Sequence, residues 1–315
     1  MRGFRPRSQV GTQQSLHNLL QYRPLTSPLN LKHLSIQHSL LKIDTTTIPH
    51  LRNLTSLTLL NVVELDTIQF NSTTGNEVHT NPSLIQSQQH VGSNLSDFWA
   101  SFSQIGVHLK SIHIDKPVTA FFSYLGTYHG LTTLHISSGH FPSRDASRNT
   151  ALQLYESAIF TKHSNTLEKL NINAWYDDYW CFCPPAAPAI QKMSRLRVLT
   201  ICIGRSWGIQ PTMNKLFQVL FRIPTIEEIH ISSFGSYSNK DEMREAQNTR
   251  ISKEIMLEVI NCKLSADETE TKAVPTIFVA SPSGITVFRP RPLSAIFTRE
   301  DRLIYLRDNK EYDYN

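Results

Sequence analysis

The sequence predicts an α/β solenoid, with a curved parallel β-sheet inside and helices outside, closed by a C-terminal α+β cap. Three observations predict it. A six-residue phrase, Leu/Ile-x-x-Leu/Ile-x-Leu/Ile, occurs seven times between Leu31 and Ile231, with spacings of 23, 55, 22, 36, 29 and 30 residues. Most copies follow a stretch in which apolar residues recur at helical spacing. After Ile231 the phrase stops, and a longer amphipathic stretch and short β-like runs take its place.

The copies are Leu31, Leu34, Ile36; Leu54, Leu57, Leu59; Leu109, Ile112, Ile114; Leu131, Leu134, Ile136; Leu167, Leu170, Ile172; Leu196, Leu199, Ile201; and Ile226, Ile229, Ile231. Leu plus Ile make up 60 of 315 residues, which gives roughly two such hexamers by chance. Helix-like stretches precede the later copies: Asp97 to Ile105, Val118 to Tyr128, Ala151 to His163, Pro188 to Met193 and Pro211 to Phe221. A helix–turn–strand unit cannot bury its apolar face alone. Stacked in parallel, such units merge their Leu/Ile columns into one core.

The remaining segments divide the chain. Residues 1–24 read as an N-terminal segment, partly disordered or with one short helix over Gln13 to Tyr22, and residues 25–235 read as the solenoid. Residues 71–94 are polar, carry Gly and Pro and lack an apolar period, so they read as a long mobile loop. Further insertions run from Gly139 to Thr150 and from Trp175 to Pro188. Residues 236–315 read as a cap or a separate module: a helix from Lys240 to Leu264 and strands at Thr276 to Ala280, Ile285 to Arg289 and Leu303 to Leu306. A hairpin turn is expected at Ser281-Pro282-Ser283-Gly284.

Composition narrows the function. The formal charge is +5, but Lys and Arg are scattered apart from Arg2, Arg5, Arg7 and Arg289, Arg291. A nucleic-acid groove needs clustered basic residues among aromatics, so nucleic acid is disfavoured as a partner. No apolar run approaches the roughly 20 residues that span a bilayer, and no secretory h-region opens the chain. A cytoplasmic or nuclear location is expected, with no membrane partner. On that reading the sequons at Asn53, Asn71 and Asn94 are accidental. Cys181, Cys183, Cys202 and Cys262 read as reduced thiols, since one C-x-C without a second pair or a suitably spaced His is not a metal framework.

With these irregular helix-before-strand repeats, the region from Leu31 to Ile231 resembles the leucine-rich-repeat domain of F-box-like proteins of fungi. The local phrases Tyr124-Leu125-Gly126-Thr127-Tyr128-His129-Gly130-Leu131 and Leu167-Glu168-Lys169-Leu170, with the run from Trp175 to Phe182, carry that resemblance. It implies a substrate-receptor ancestry, in which the repeats capture a protein and an N-terminal F-box docks a cullin-type ubiquitin ligase. Only 30 residues precede the first phrase and no F-box fits them. The expectation is therefore a noncatalytic scaffold that binds a protein of unknown identity. The alternative is the recognition subunit of a ubiquitin ligase, with ligase components as partners and its F-box missing from this chain.

The binding residues follow from strand geometry. Side chains alternate along a strand, so the residue between the last two core positions of each phrase faces away from the core. That column reads Ser35, Thr58, His113, His135, Asn171, Thr200, His230. Flanking positions add Lys169 and Glu228 on one side and Asp115 on the other. His113, His135 and Asp115 admit a metal site, a hydrolytic centre with Ser111, a His-lined recognition face titrating between pH 5 and 7, or a solvated surface. The recognition face is the reading adopted, with no catalytic, cofactor or metal residues assigned. Trp175, Tyr176, Tyr179 and Trp180 are either interface anchors or a small core under their loop.

Overall fold

The computed structural model describes residues 28–37, 47–62, 95–138, 141, 143–156, 159–235, 242–264, 274–292 and 303–308. The N-terminal segment 1–24, the loop 71–94 and the sequons at Asn71 and Asn94 lie outside the described residues. The fold is mixed α/β with a mostly parallel sheet, and the chain divides into two compact units, Met1–Val107 and His108–Asn315.

In the first unit, strands β1 (His33–Gln37) and β2 (Ser56–Leu60) pair in parallel, with Leu34 opposite Leu57 and Ile36 opposite Leu59. The short helix α1 (Ile48–Leu51) lies between them in sequence, and its buried His50 accepts the Leu29 N–H through Nδ1 at 2.9 Å. Helix α2 (Leu95–Ile105) follows. Leu95, Phe98, Trp99 and Phe102 fall at i, i+3, i+4 and i+7, form one stripe and are buried. The Phe98 and Phe102 rings meet at 4.4 Å.

In the second unit, helix and strand alternate: β3 (Ser111–Ile114), α3 (Thr119–Leu125), β4 (Thr133–Ser138), α4 (Arg144–Glu156), α5 (Ile159–His163), β5 (Lys169–Ala174), α6 (Ala186–Gln191), β6 (Val198–Ile203), α7 (Ile209–Leu220), β7 (Glu228–Ser233) and α8 (Glu242–Asn261). Strands β3 to β7 pair in parallel, each with the next. The register joins equivalent phrase positions: Leu134, Leu170, Leu199 and Ile229 stand in one row, and Ile136, Ile172, Ile201 and Ile231 in the next but one. All eight are buried. A slip of one residue would turn every one of them to the other face, which is why the apolar pattern holds the register.

The tail continues this arrangement before departing from it. After β8 (Lys263–Leu264), strand β9 (Thr276–Ser281) pairs in parallel with β7, placing Ile277 opposite Ile229 and Val279 opposite Ile231. Val274, Ile277 and Val279 are thus an eighth, valine-containing copy of the phrase, which a Leu/Ile pattern does not find. Strands β10 (Gly284–Pro292) and β11 (Leu303–Asp308) then run antiparallel, and the hairpin turns through Pro282 and Ser283 as expected. The Ser281 hydroxyl closes it by donating to the Gly284 carbonyl at 2.9 Å.

One expectation about helices needs correction. Arg144–Thr150 is helix rather than insertion loop, and the expected helical stretch from Ala151 to His163 holds the end of α4 and α5, with residues 157–158 outside the described residues. Ser143 explains the early start, since its hydroxyl accepts the Ala146 N–H at 3.1 Å as an N-cap does. Among the described residues no helix is long and apolar enough to cross a membrane.

Candidate functional site

The sheet of the second unit brings the expected column together. His113 stands opposite His135, His135 opposite Asn171, Asn171 opposite Thr200 and Thr200 opposite His230. The next residue in the row is Phe278, opposite His230. All six are half-buried, between buried Leu, Ile and Val neighbours. The His113 and His135 rings stack at 3.7 Å and 5°, and those of His230 and Phe278 at 4.4 Å and 5°.

Hydrogen bonds tie the row to the flanking positions. His135 Nε2 meets Ser137 Oγ at 3.1 Å and Asn173 Nδ2 at 3.2 Å, while His230 Nε2 meets Glu228 at 3.1 Å. Asp115 lies just beyond β3 and acts electrostatically on His113, and Lys169 is exposed at the start of β5. The Oδ1 atoms of Asn171 and Asn173 are covered and lack a partner.

Burial decides the charge of the histidine pair. Removing an imidazole from water disfavours its cation. It lowers His113 from its usual 6.5, against the opposing pull of Asp115. It lowers His135 to about 4, helped by the facing His113. The expected titration between pH 5 and 7 is therefore corrected for His135, which stays neutral through that window. Among the described residues no group of three or more His, Cys, Asp or Glu is placed to hold a metal ion.

The aromatic run is split by the fold. Trp180 is fully buried and stacks at 5.9 Å on Phe141, so it belongs to the core and not to any contact surface. Trp175 and Tyr179 are half-buried, while Tyr176 is 41 % exposed. The two acids between them hold the loop. Asp177 accepts the Arg205 and Ser206 N–H groups at 3.0 and 3.2 Å, and Asp178 accepts the Ser147 hydroxyl at 2.8 Å and the Trp180 N–H at 3.0 Å. Burial raises the Asp178 carboxyl above its usual range, and these two donors oppose the shift. Gly204 leaves room for this carboxylate: a Cβ there would overlap Asp177 Oδ1, which would have to shift, and would sit 3.2 Å from Cys181 Sγ.

Sequence reasoning missed three residues. Arg148 lies 4.7 Å over the Tyr179 ring and donates to its Oη at 3.0 Å, and Trp207 meets Tyr179 edge to face at 5.6 Å. The signal for Trp207 is its place in the loop after β6, which corresponds to the Trp175–Phe182 loop after β5. The signal for Phe278 is the valine-containing phrase.

The cysteines form no disulfide. Cys181, Cys183 and Cys202 are buried, and burial pushes their thiols up, Cys183 to about 12. Protonated, covered thiols react slowly. Titration of the native chain with a coloured thiol reagent should release one equivalent quickly, from half-buried Cys262, and the other three only in denaturant. Fast release of more than one would contradict this placement.

Compared with known proteins, the chain matches no family model, no curated protein and no solved structure.

Proposed function

We propose that the chain is a noncatalytic protein-binding scaffold of the leucine-rich-repeat kind. It takes a partner on the polar face of its parallel strands and on the loops that follow them. The observation that carries this reading is the row from His113 through His135, Asn171 and Thr200 to His230, aligned strand by strand and half-exposed. The in-register phrase supports the repeat assignment, because stacked units of this kind present such rows on one face. Descent from an F-box-like substrate receptor rests on the local sequence phrases alone.

Among the described residues Ser137 Oγ meets His135 Nε2 at 3.1 Å, a pairing that a hydrolase could use as nucleophile and base. An imidazole that titrates near 4 is a weak base at neutral pH, which favours binding over hydrolysis. Asn171→Arg and Thr200→Arg place long cations in the middle of the row. Recovery of a specific partner on the tagged chain, measured by quantitative mass spectrometry, should fall about tenfold or more in both. Equal recovery by wild type and variants would remove this face from the proposal. Turnover of a small ester or peptide that disappears in His135→Ala would replace the scaffold with an enzyme.

A further inference from the structure

We propose that the groove between helices α3 and α4 takes a lysine side chain of a partner protein. The groove lies among the helices, so this inference goes beyond the polar row on the strands and does not depend on it.

Thr119, Phe122, Ser123, Gln153 and Glu156 line an open groove of about 390 Å³. The first three stand at i, i+3 and i+4 on one face of α3, and the last two at i and i+3 on α4. Phe122 is buried and the other four are exposed, which sets an apolar ring beneath a polar rim. Such a lining suits a ligand with an apolar stem and a polar head.

Hydrogen bonding within the rim decides what that head must be. The Thr119 hydroxyl donates to Gln153 Oε1 at 3.1 Å, and the Ser123 hydroxyl donates to the Thr119 carbonyl at 3.2 Å. Both hydroxyl protons are thereby used, and each oxygen still offers lone pairs. Glu156 adds a carboxylate, which only accepts, so the Gln153 amide is the one donor left among these side chains. A head rich in donors is required.

Charge narrows the choice to a single cation. No Lys or Arg is among the lining residues, and Glu156 stands in the last turn of α4, a turn that carries no basic residue. The carbonyls at a helix C-terminus bear partial negative charge, so an acid there is unfavourable and a cation supplied from outside relieves it. One carboxylate answers one positive charge. A polyamine would bring further charges that nothing in the lining answers, whereas lysine brings one ammonium, with rotatable donors, on a flexible apolar stem. That stem can lie over Phe122 while the ammonium stays at the rim beside Glu156.

The test uses the full chain at low ionic strength and a capped tripeptide with lysine between two alanines, titrated by saturation-transfer difference NMR. Saturable binding is expected, weakened about threefold by Glu156→Gln and by a similar factor when norleucine replaces the lysine, as for an exposed ion pair. Gln153→Glu keeps an acceptor for Thr119 and adds a second carboxylate, so it should tighten binding about threefold. Circular dichroism checks that both variants remain folded. No saturable binding overturns the proposal, as does binding that neither Glu156→Gln nor the norleucine peptide weakens. Spermidine that binds more tightly than the peptide, and loses affinity in Glu156→Gln, would give the groove to a free polyamine and overturn the partner assignment.

Discussion

Trp180→Ala is expected to destabilise the second unit by about 3–5 kcal/mol, the range for emptying a large aromatic site in a core. Trp180 has no exposed surface, and Phe141 stacks on it. The loss should spread to the loop, because the buried ring anchors the Trp180 backbone, whose N–H is one of the two donors that hold the Asp178 carboxylate. Trp180→Phe makes the contrast informative. The indole Nε1 is buried without a partner, and phenylalanine removes that unsatisfied donor while keeping most of the ring. An unpaired buried donor costs about 1–3 kcal/mol, so the phenylalanine variant should lose far less than the alanine variant. Denaturant unfolding followed by circular dichroism measures both. An alanine variant within about 0.5 kcal/mol of wild type would mean the loop does not depend on this plug.

Stability should also fall between pH 7 and pH 5, above the range where ordinary carboxylates titrate. In the folded chain His135 takes up its proton near 4, whereas an unfolded histidine does so near 6.5. Between those values the unfolded chain holds more protons, so acidification favours unfolding and stability rises with pH. The contribution is complete above pH 6.5 and is lost progressively as pH drops toward 4. Allowing for the partial exposure of the ring, it amounts to on the order of 2 kcal/mol over the whole window. His113 acts in the same direction, and so does buried His163, whose Nε2 meets the Leu125 carbonyl at 3.0 Å while Nδ1 accepts the Leu131 N–H. His135→Phe keeps a ring to stack on His113 and removes the titration. The slope of unfolding free energy against pH from 7 to 5 should flatten in that variant. An unchanged slope would show that the pair is not the acid-sensitive element.

Much of the fold is visible in the order of residues. The phrase copies from Leu109 to Ile231 all become parallel strands with their apolar positions paired, because buried Leu and Ile at fixed spacing leave one workable register. The polar row was legible for the same reason, since alternation alone sends His113, His135, Asn171, Thr200 and His230 to one face. The helix from Arg144 was harder to see because its buried apolar positions, Ala151, Leu154 and Tyr155, cluster at its end and its start is marked only by Ser143. The eighth strand was hidden by valine, which packs in the column as isoleucine does but falls outside a Leu/Ile pattern.

The sequence by itself therefore determined a repeating α/β order, the strand register of the second unit and a row of outward polar positions. Local apolar periodicity is sufficient for these, because it dictates which side of each element must leave water. Only the tertiary structure decided which aromatics of one short run are core and which are surface. Trp180 and Tyr176 stand four residues apart in an irregular loop, where no period predicts direction, and contacts with Phe141, Ser147, Arg148 and Trp207 from other segments turn one inward and leave the other exposed. The lowered His135 pKa was likewise decided in three dimensions, since it depends first on burial of the ring and then on His113, which stacks on it from the neighbouring strand.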